Sequence, residues 1–148
     1  MKQTILITLA GICILAGVFA ACNSKPEDLK ACETKPLNPN GDSELALLMR
    51  EMTKSTENMS AALKNGTDFP EKPDGFEKII NAVRTDSTIE QEPYEIYAKA
   101  WLSALNRLYA APENNRPEMF NALVSNCESC HHAYCHGPLE RIAKMHVK

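Results

Sequence analysis

The chain has 148 residues, 44% of them hydrophobic, and its 16 basic and 19 acidic side chains leave a net charge of −3. That length suits one domain, and a mildly acidic balance does not favour nucleic acid or an anionic lipid surface as a partner. Six cysteines make the redox compartment the first question to ask of the N-terminus.

The chain opens with Met1 and Lys2, and residues 5–21 carry no charge and consist mostly of Ile, Leu, Val, Ala and Phe. Such a run is short for a membrane span and ends in small residues, the pattern of a signal peptide over 1–21. Phe19-Ala20-Ala21-Cys22 resembles the lipobox of bacterial lipoproteins, with Phe where Leu is usual. The resemblance implies export to the periplasmic side as a membrane-anchored lipoprotein, lipidated on Cys22 and held to the membrane by that lipid. Ordinary cleavage after Ala21, or retention as an uncleaved anchor, stays open. Residues 22–42, with Pro26, Pro36 and Pro39 and no apolar periodicity, read as a flexible tether.

The domain is expected over 43–148. Asp42 or Ser43 can cap a first helix with Glu44 in its first turn. Leu45, Leu48, Met52, Met59 and Ala62 recur at three-four spacing, with Met49, Thr56 and Leu63 beside them, as far as Lys64. Asn65-Gly66 ends the run. After a loop at Phe69-Pro70-Glu71-Lys72-Pro73, Asp74 and Glu77 have capping-box spacing, and Phe76, Ile79, Ile80 and Val83 predict a short second helix.

Residues 85–92 are polar, and Pro93 suits a first helical turn. Tyr94, Tyr97, Trp101, Ala104, Leu105 and Leu108 form the inward face of a third helix, closed by Ala111-Pro112. Asn115, Pro117 and Glu118 open a fourth. In it Phe120, Leu123, Cys127, Cys130 and Tyr134 share one seam at spacings of three and four. Gly137-Pro138 stops the helix, and 139–148 reads as a polar, mildly basic ending. With no strand alternation and no internal repeat, the expected fold is all-α, an antiparallel four-helix bundle.

Cys127-Glu128-Ser129-Cys130-His131 is a Cys-x-x-Cys-His sequence, the attachment signature of a covalently bound c-type haem. Its residues fall at i, i+3 and i+4, so one helix face presents two thiols for the porphyrin vinyls and an imidazole for the iron. Three other readings compete. Zinc could draw on Cys127, Cys130, His131 or His132, Cys135 and His136, although ligands so close on one helix struggle to surround a metal. A thioredoxin-like motif needs a βαβ context that the chain lacks. A disulfide scaffold leaves His131 without a role. The overlapping Cys130-x-x-x-x-Cys135-His136 spacing shares Cys130, so one haem is the limit. A methionine-rich, modest apolar stripe predicts that the porphyrin completes the core and that the apoprotein is loosely folded. With Cys22 lipidated and two cysteines on haem, Cys32 and Cys135 form an even pair for a disulfide in an oxidising compartment.

The helix layout, Leu48-Met49-Arg50-Glu51-Met52 on the first helix, Cys-x-x-Cys-His on the last and Tyr134 three residues after His131 together resemble the cytochrome c-prime family over roughly residues 43–136. The resemblance implies a left-handed bundle with haem near its end, His131 as proximal ligand and the first helix over the distal face. It sets Met49 at the distal position, with Met52 second; the bland alternative is that both fill the core. Arg50 is either a partner for a haem propionate or a plain surface arginine. Cys135 stands where the family often has a basic residue. The implied function is that of a membrane-tethered electron carrier with no catalytic residues, serving redox partner proteins, and a homodimer stays open. The alternative within the family is a five-coordinate binder of nitric oxide or carbon monoxide. Peroxidase-like chemistry lacks a distal acid-base pair.

Overall fold

Ser43 starts the first helix for a local reason. Its Oγ accepts the Ala46 N–H at 3.1 Å from an extended backbone, and Glu44 follows at the positive end of the helix dipole. Helix α1 then runs Glu44–Asn65, and Gly66, at φ +64°, closes it by donating its N–H to the Ala62 carbonyl. The computed structural model describes residues 41–148, so the signal-peptide, lipidation and tether expectations for residues up to 40, including Cys22 and Cys32, lie outside it.

The expected second helix is a 3-10 turn, Phe76–Ile80. Phe76, Ile79 and Ala82 are buried at intervals of three, the period of a 3-10 turn, while Val83 is 67% exposed and not part of the inward face. Nor does Asp74 cap it: Gly75, at φ +81°, occupies that place, and no side chain caps the turn. Helix α2 follows at Gln91–Ala110 with Pro93 in its first turn, and α3 at Arg116–Tyr134. A 3-10 turn, Glu113–Asn115, leads directly into α3. Asn115 therefore already has helical backbone angles (φ −104°, ψ −5°), and its side chain makes no capping bond, contrary to the capping box read from Asn115 and Glu118.

A second correction concerns the C-terminal segment. Leu139–Ala143 forms a short helix, α4, and Ile142, Met145 and Val147 are buried. Two polar residues fasten this segment to the helices. Ser60 Oγ donates to the Met145 carbonyl at 2.6 Å, and Asn121 bonds both the N–H and the carbonyl of Val147 at 2.9 Å. Polar by composition, the segment nevertheless spends its few apolar side chains on the core.

The fold class is all-α: the described residues contain helices and turns and no strand. Helix α3 is packed by α1, α2 and α4, and the Phe76–Ile80 turn fills the space against α1 and α2. Phe120, Leu123 and Val124 of α3 meet Met59 and Leu108 in the fully buried centre. Further along the same seam, Cys127, Cys130 and Tyr134 are only half-buried. The seam thus leaves the core and opens as a cleft.

Candidate functional site

The open end of the α3 seam presents Cys127, Cys130 and His131 together. A cleft of about 340 Å³ has Cys130, His131, Tyr134 and Cys135 on one wall, Leu45, Met49 and Arg50 of α1 on another, and Arg84, Asp86 and Tyr94 around the remainder. A cavity of about 30 Å³ beneath it is lined by Met49, Met52, Cys127, Cys130 and His131 together with Trp101. A second of the same size joins Met49 and Met52 to Thr56, Trp101 and His131. The tertiary structure therefore brings α1 methionines, some eighty residues away in sequence, to the same space as the α3 motif. A shallower depression of about 490 Å³ on α2, lined by residues such as Lys99 and Asn106, holds no cysteine or histidine.

The imidazole is held in one orientation. His131 Nδ1 lies 2.9 Å from the Cys135 carbonyl, which can only accept, so Nδ1 carries a proton and, in the neutral ring, Nε2 is the nitrogen with the lone pair. A histidine that ligates a metal is commonly held this way. The bond exists because α3 ends at Tyr134 and Cys135 turns out of the helix. His132 and His136 are exposed, and His146 sits 3.3 Å from Glu128 at the other side of the helix end.

The thiols sit in apolar surroundings. Trp101 Nε1 donates to Cys127 Sγ at 3.1 Å, and Trp101 itself packs on Phe76 with ring centroids 5.9 Å apart. Burial pushes the Cys127 thiol up to about 12 and the Cys130 thiol to about 11. Both are therefore neutral thiols at pH 7 and poor nucleophiles until activated. No disulfide joins Cys127, Cys130 and Cys135 to one another. Among the described residues no group of three or more His, Cys, Asp or Glu is placed to hold a metal ion.

Aromatic rings floor the cleft. Tyr134 stands edge-on to Tyr94 and Tyr97, with centroids 6.0 and 5.7 Å away. The Tyr94 hydroxyl donates to the Ile79 carbonyl at 2.8 Å, and burial raises its phenol to about 12. Arg50 lines the cleft but gives both terminal nitrogens to Asp42, at 2.6 and 2.7 Å. Arg84, unremarkable in the sequence because it belongs to no periodic stripe, enters the cleft from the segment that follows the Phe76–Ile80 turn. That segment is tied to the start of α1 by Leu45 N–H to the Val83 carbonyl, Val83 N–H to Glu44, and Ser43 to Thr85.

A haem fits the chemistry of this donor set: two thiols and an imidazole on one face, thioethers opposite, apolar and aromatic walls, and arginines at the rim. The cleft's volume lies at the lower end of the range for small-molecule sites, and the two small cavities adjoin it. No helix among the described residues is long and apolar enough to cross a membrane. No family model, curated protein or solved structure matches the chain.

Proposed function

We propose that this chain is a monohaem c-type cytochrome that works as a membrane-tethered periplasmic electron carrier. The observation that carries the reading is the convergence of Met49 and His131 on one cavity that Cys127 and Cys130 also line. Each cysteine would add its S–H across one vinyl group, sulfur to the inner carbon and hydrogen to the outer, with no oxidant consumed. His131 would hold the iron through Nε2 and Met49 through its thioether, with Met52 as second candidate. Haem held by that ligand pair would supply one-electron chemistry at a raised potential. The chain's own part is to hold the two ligands in place: His131 through the Cys135 carbonyl, Met49 through the capped, core-packed α1. No substrate site or general acid is needed, so the protein is read as a carrier and not an enzyme.

The finer fold reading belongs to the same proposal: an antiparallel four-helix bundle closed around the haem, supported by the short connection between α2 and α3. The cytochrome c-prime resemblance rests on the motifs alone. Export and the lipid anchor rest on residues 5–22; labelled palmitate incorporated into wild type and not into Cys22→Ser is the expected result.

A second reading has one observation in its favour. The cavity of about 30 Å³ bounded by Met49, Met52 and Thr56 could admit a diatomic gas to a five-coordinate iron. Optical spectra of ferric and ferrous protein, wild type beside Met49→Ala, with and without carbon monoxide, separate the two. Low-spin wild type that becomes high-spin and ligand-accessible in the variant is expected for the carrier. High-spin wild type that takes up carbon monoxide readily would overturn Met49 ligation and favour gas binding.

A further inference from the structure

The cavity of about 30 Å³ that joins Met49 and Met52 to Trp101 and His131 is also lined by Met145 of the C-terminal segment. Three of the chain's six methionines therefore border one space. Met49 and Met52 stand three residues apart on one face of α1. Met145 is held there by the bond from Ser60 to its carbonyl, and His131 by its bond to the Cys135 carbonyl. Methionine in a core is ordinarily a flexible filler. Here the three leave a space between them large enough for one water-sized occupant, with an imidazole on its wall. The cavity offers water little: no Asp, Glu, Lys or Arg lines it, and Thr53 and Thr56 give their hydroxyls to the Met49 and Met52 carbonyls at 2.7 and 2.8 Å.

We propose that the haem-free chain binds one copper(I) ion in this cavity, through the thioethers of Met49, Met52 and Met145 and Nε2 of His131. Thioethers are soft donors and select copper(I) over hard or borderline divalent ions. Four neutral donors suit a single positive charge, whereas a divalent ion buried here would lack a carboxylate or thiolate to offset it. The indole of Trp101, also on the wall, adds a ring face for a cation. The ion enters and leaves as copper(I), so no electron moves. Binding joins α1, α3 and the C-terminal segment, and so stabilises the chain by mass action. The inference does not rest on the haem reading. Haem and copper exclude each other in one molecule, because both use Met49 and His131.

The test uses the full chain with methionine labelled at its methyl carbon by ¹³C, titrated with silver(I), a redox-inert probe for the same site. All six cysteines are changed to serine, which prevents haem attachment and removes thiols that would take the probe first. The expected result is that the Met49, Met52 and Met145 methyl resonances shift together and saturate at one ion per chain, while those of Met59 and Met119, which do not line the cavity, stay in place. Wild-type chain made without haem shows the same three shifts once its thiols are filled. Copper(I) affinity, read by competition with a chromogenic chelator, falls by about tenfold or more in Met145→Leu, which keeps the volume and removes the sulfur. It is unchanged in Met119→Leu. The methyl shifts need no methionine variant, so they decide the matter even where Met145→Leu fails to fold. Silver that leaves the three methyls unmoved in both chains, that moves Met59 and Met119 alike, or a copper(I) affinity indifferent to a folded Met145→Leu, overturns the site.

Discussion

Single side chains decide how the cleft is lined. Trp101 is 3% exposed, packs on Phe76 and donates to Cys127, so it joins the core to the motif. Trp101→Ala is expected to cost about 3–5 kcal/mol in urea denaturation, and Trp101→Phe clearly less, because the ring volume and not the N–H dominates. Tyr109 shows how burial controls titration. Its hydroxyl bonds the Glu71 carbonyl at 3.1 Å, and burial raises its phenol from 10 to about 12. The unfolded chain loses this proton first, so the contribution is intact below pH 10 and disappears as pH rises through about 12. Tyr94 behaves alike for the same reason. Alkaline unfolding followed by circular dichroism should therefore steepen over that window in wild type and become shallower in Tyr109→Phe.

At the scale of elements, α1 carries the Met49 wall of the cleft and is secured at both ends. Ser43→Ala removes an N-cap and the bond to Thr85, with an expected loss of about 1 kcal/mol. Gly66 holds a left-handed φ, and a Cβ there would meet no atom within 4 Å, so Gly66→Ala should also cost about 1 kcal/mol through backbone strain alone. Chemical denaturation of the two single variants and the double variant checks this; losses that add indicate that the two ends act independently. The Phe76–Ile80 turn is the opposite case. Gly75 precedes it and a polar segment follows, so its three inward residues suit a turn and not a full amphipathic helix.

For the molecule as a whole, the C-terminal segment adds to the core. Deleting residues 139–148 exposes the surface covered by Ile142, Met145 and Val147 and strands Asn121 and Ser60. Burying such side chains contributes about 1.5–3 kcal/mol each as an upper figure. A loss of several kcal/mol is the expected result of calorimetry on the truncated protein. On the proposed haem reading, the half-buried cysteine seam leads to a further expectation: without haem the protein should melt broadly and with weak near-ultraviolet dichroism, and with haem cooperatively. A sharp native-like melt of the apoprotein would show that the core is complete without the cofactor.

The sequence by itself determined the helical class, both ends of α1, the limits of α2 and the spacing of Cys127, Cys130 and His131 on one helix, because three-four periodicity and caps are local properties of the chain. It also indicated Met49 and Met52, though only through a resemblance. Residues distant along the chain were brought together by packing alone. The burial of Ile142, Met145 and Val147 depends on what Ser60 and Asn121 offer from other helices. The bond from His131 to the Cys135 carbonyl depends on where α3 unwinds. Arg84 belongs to no pattern, and it lines the cleft because the segment after the Phe76–Ile80 turn is bonded to the start of α1. Periodicity reports which face a residue occupies on its own helix, while the partner of that face is set by contacts between elements.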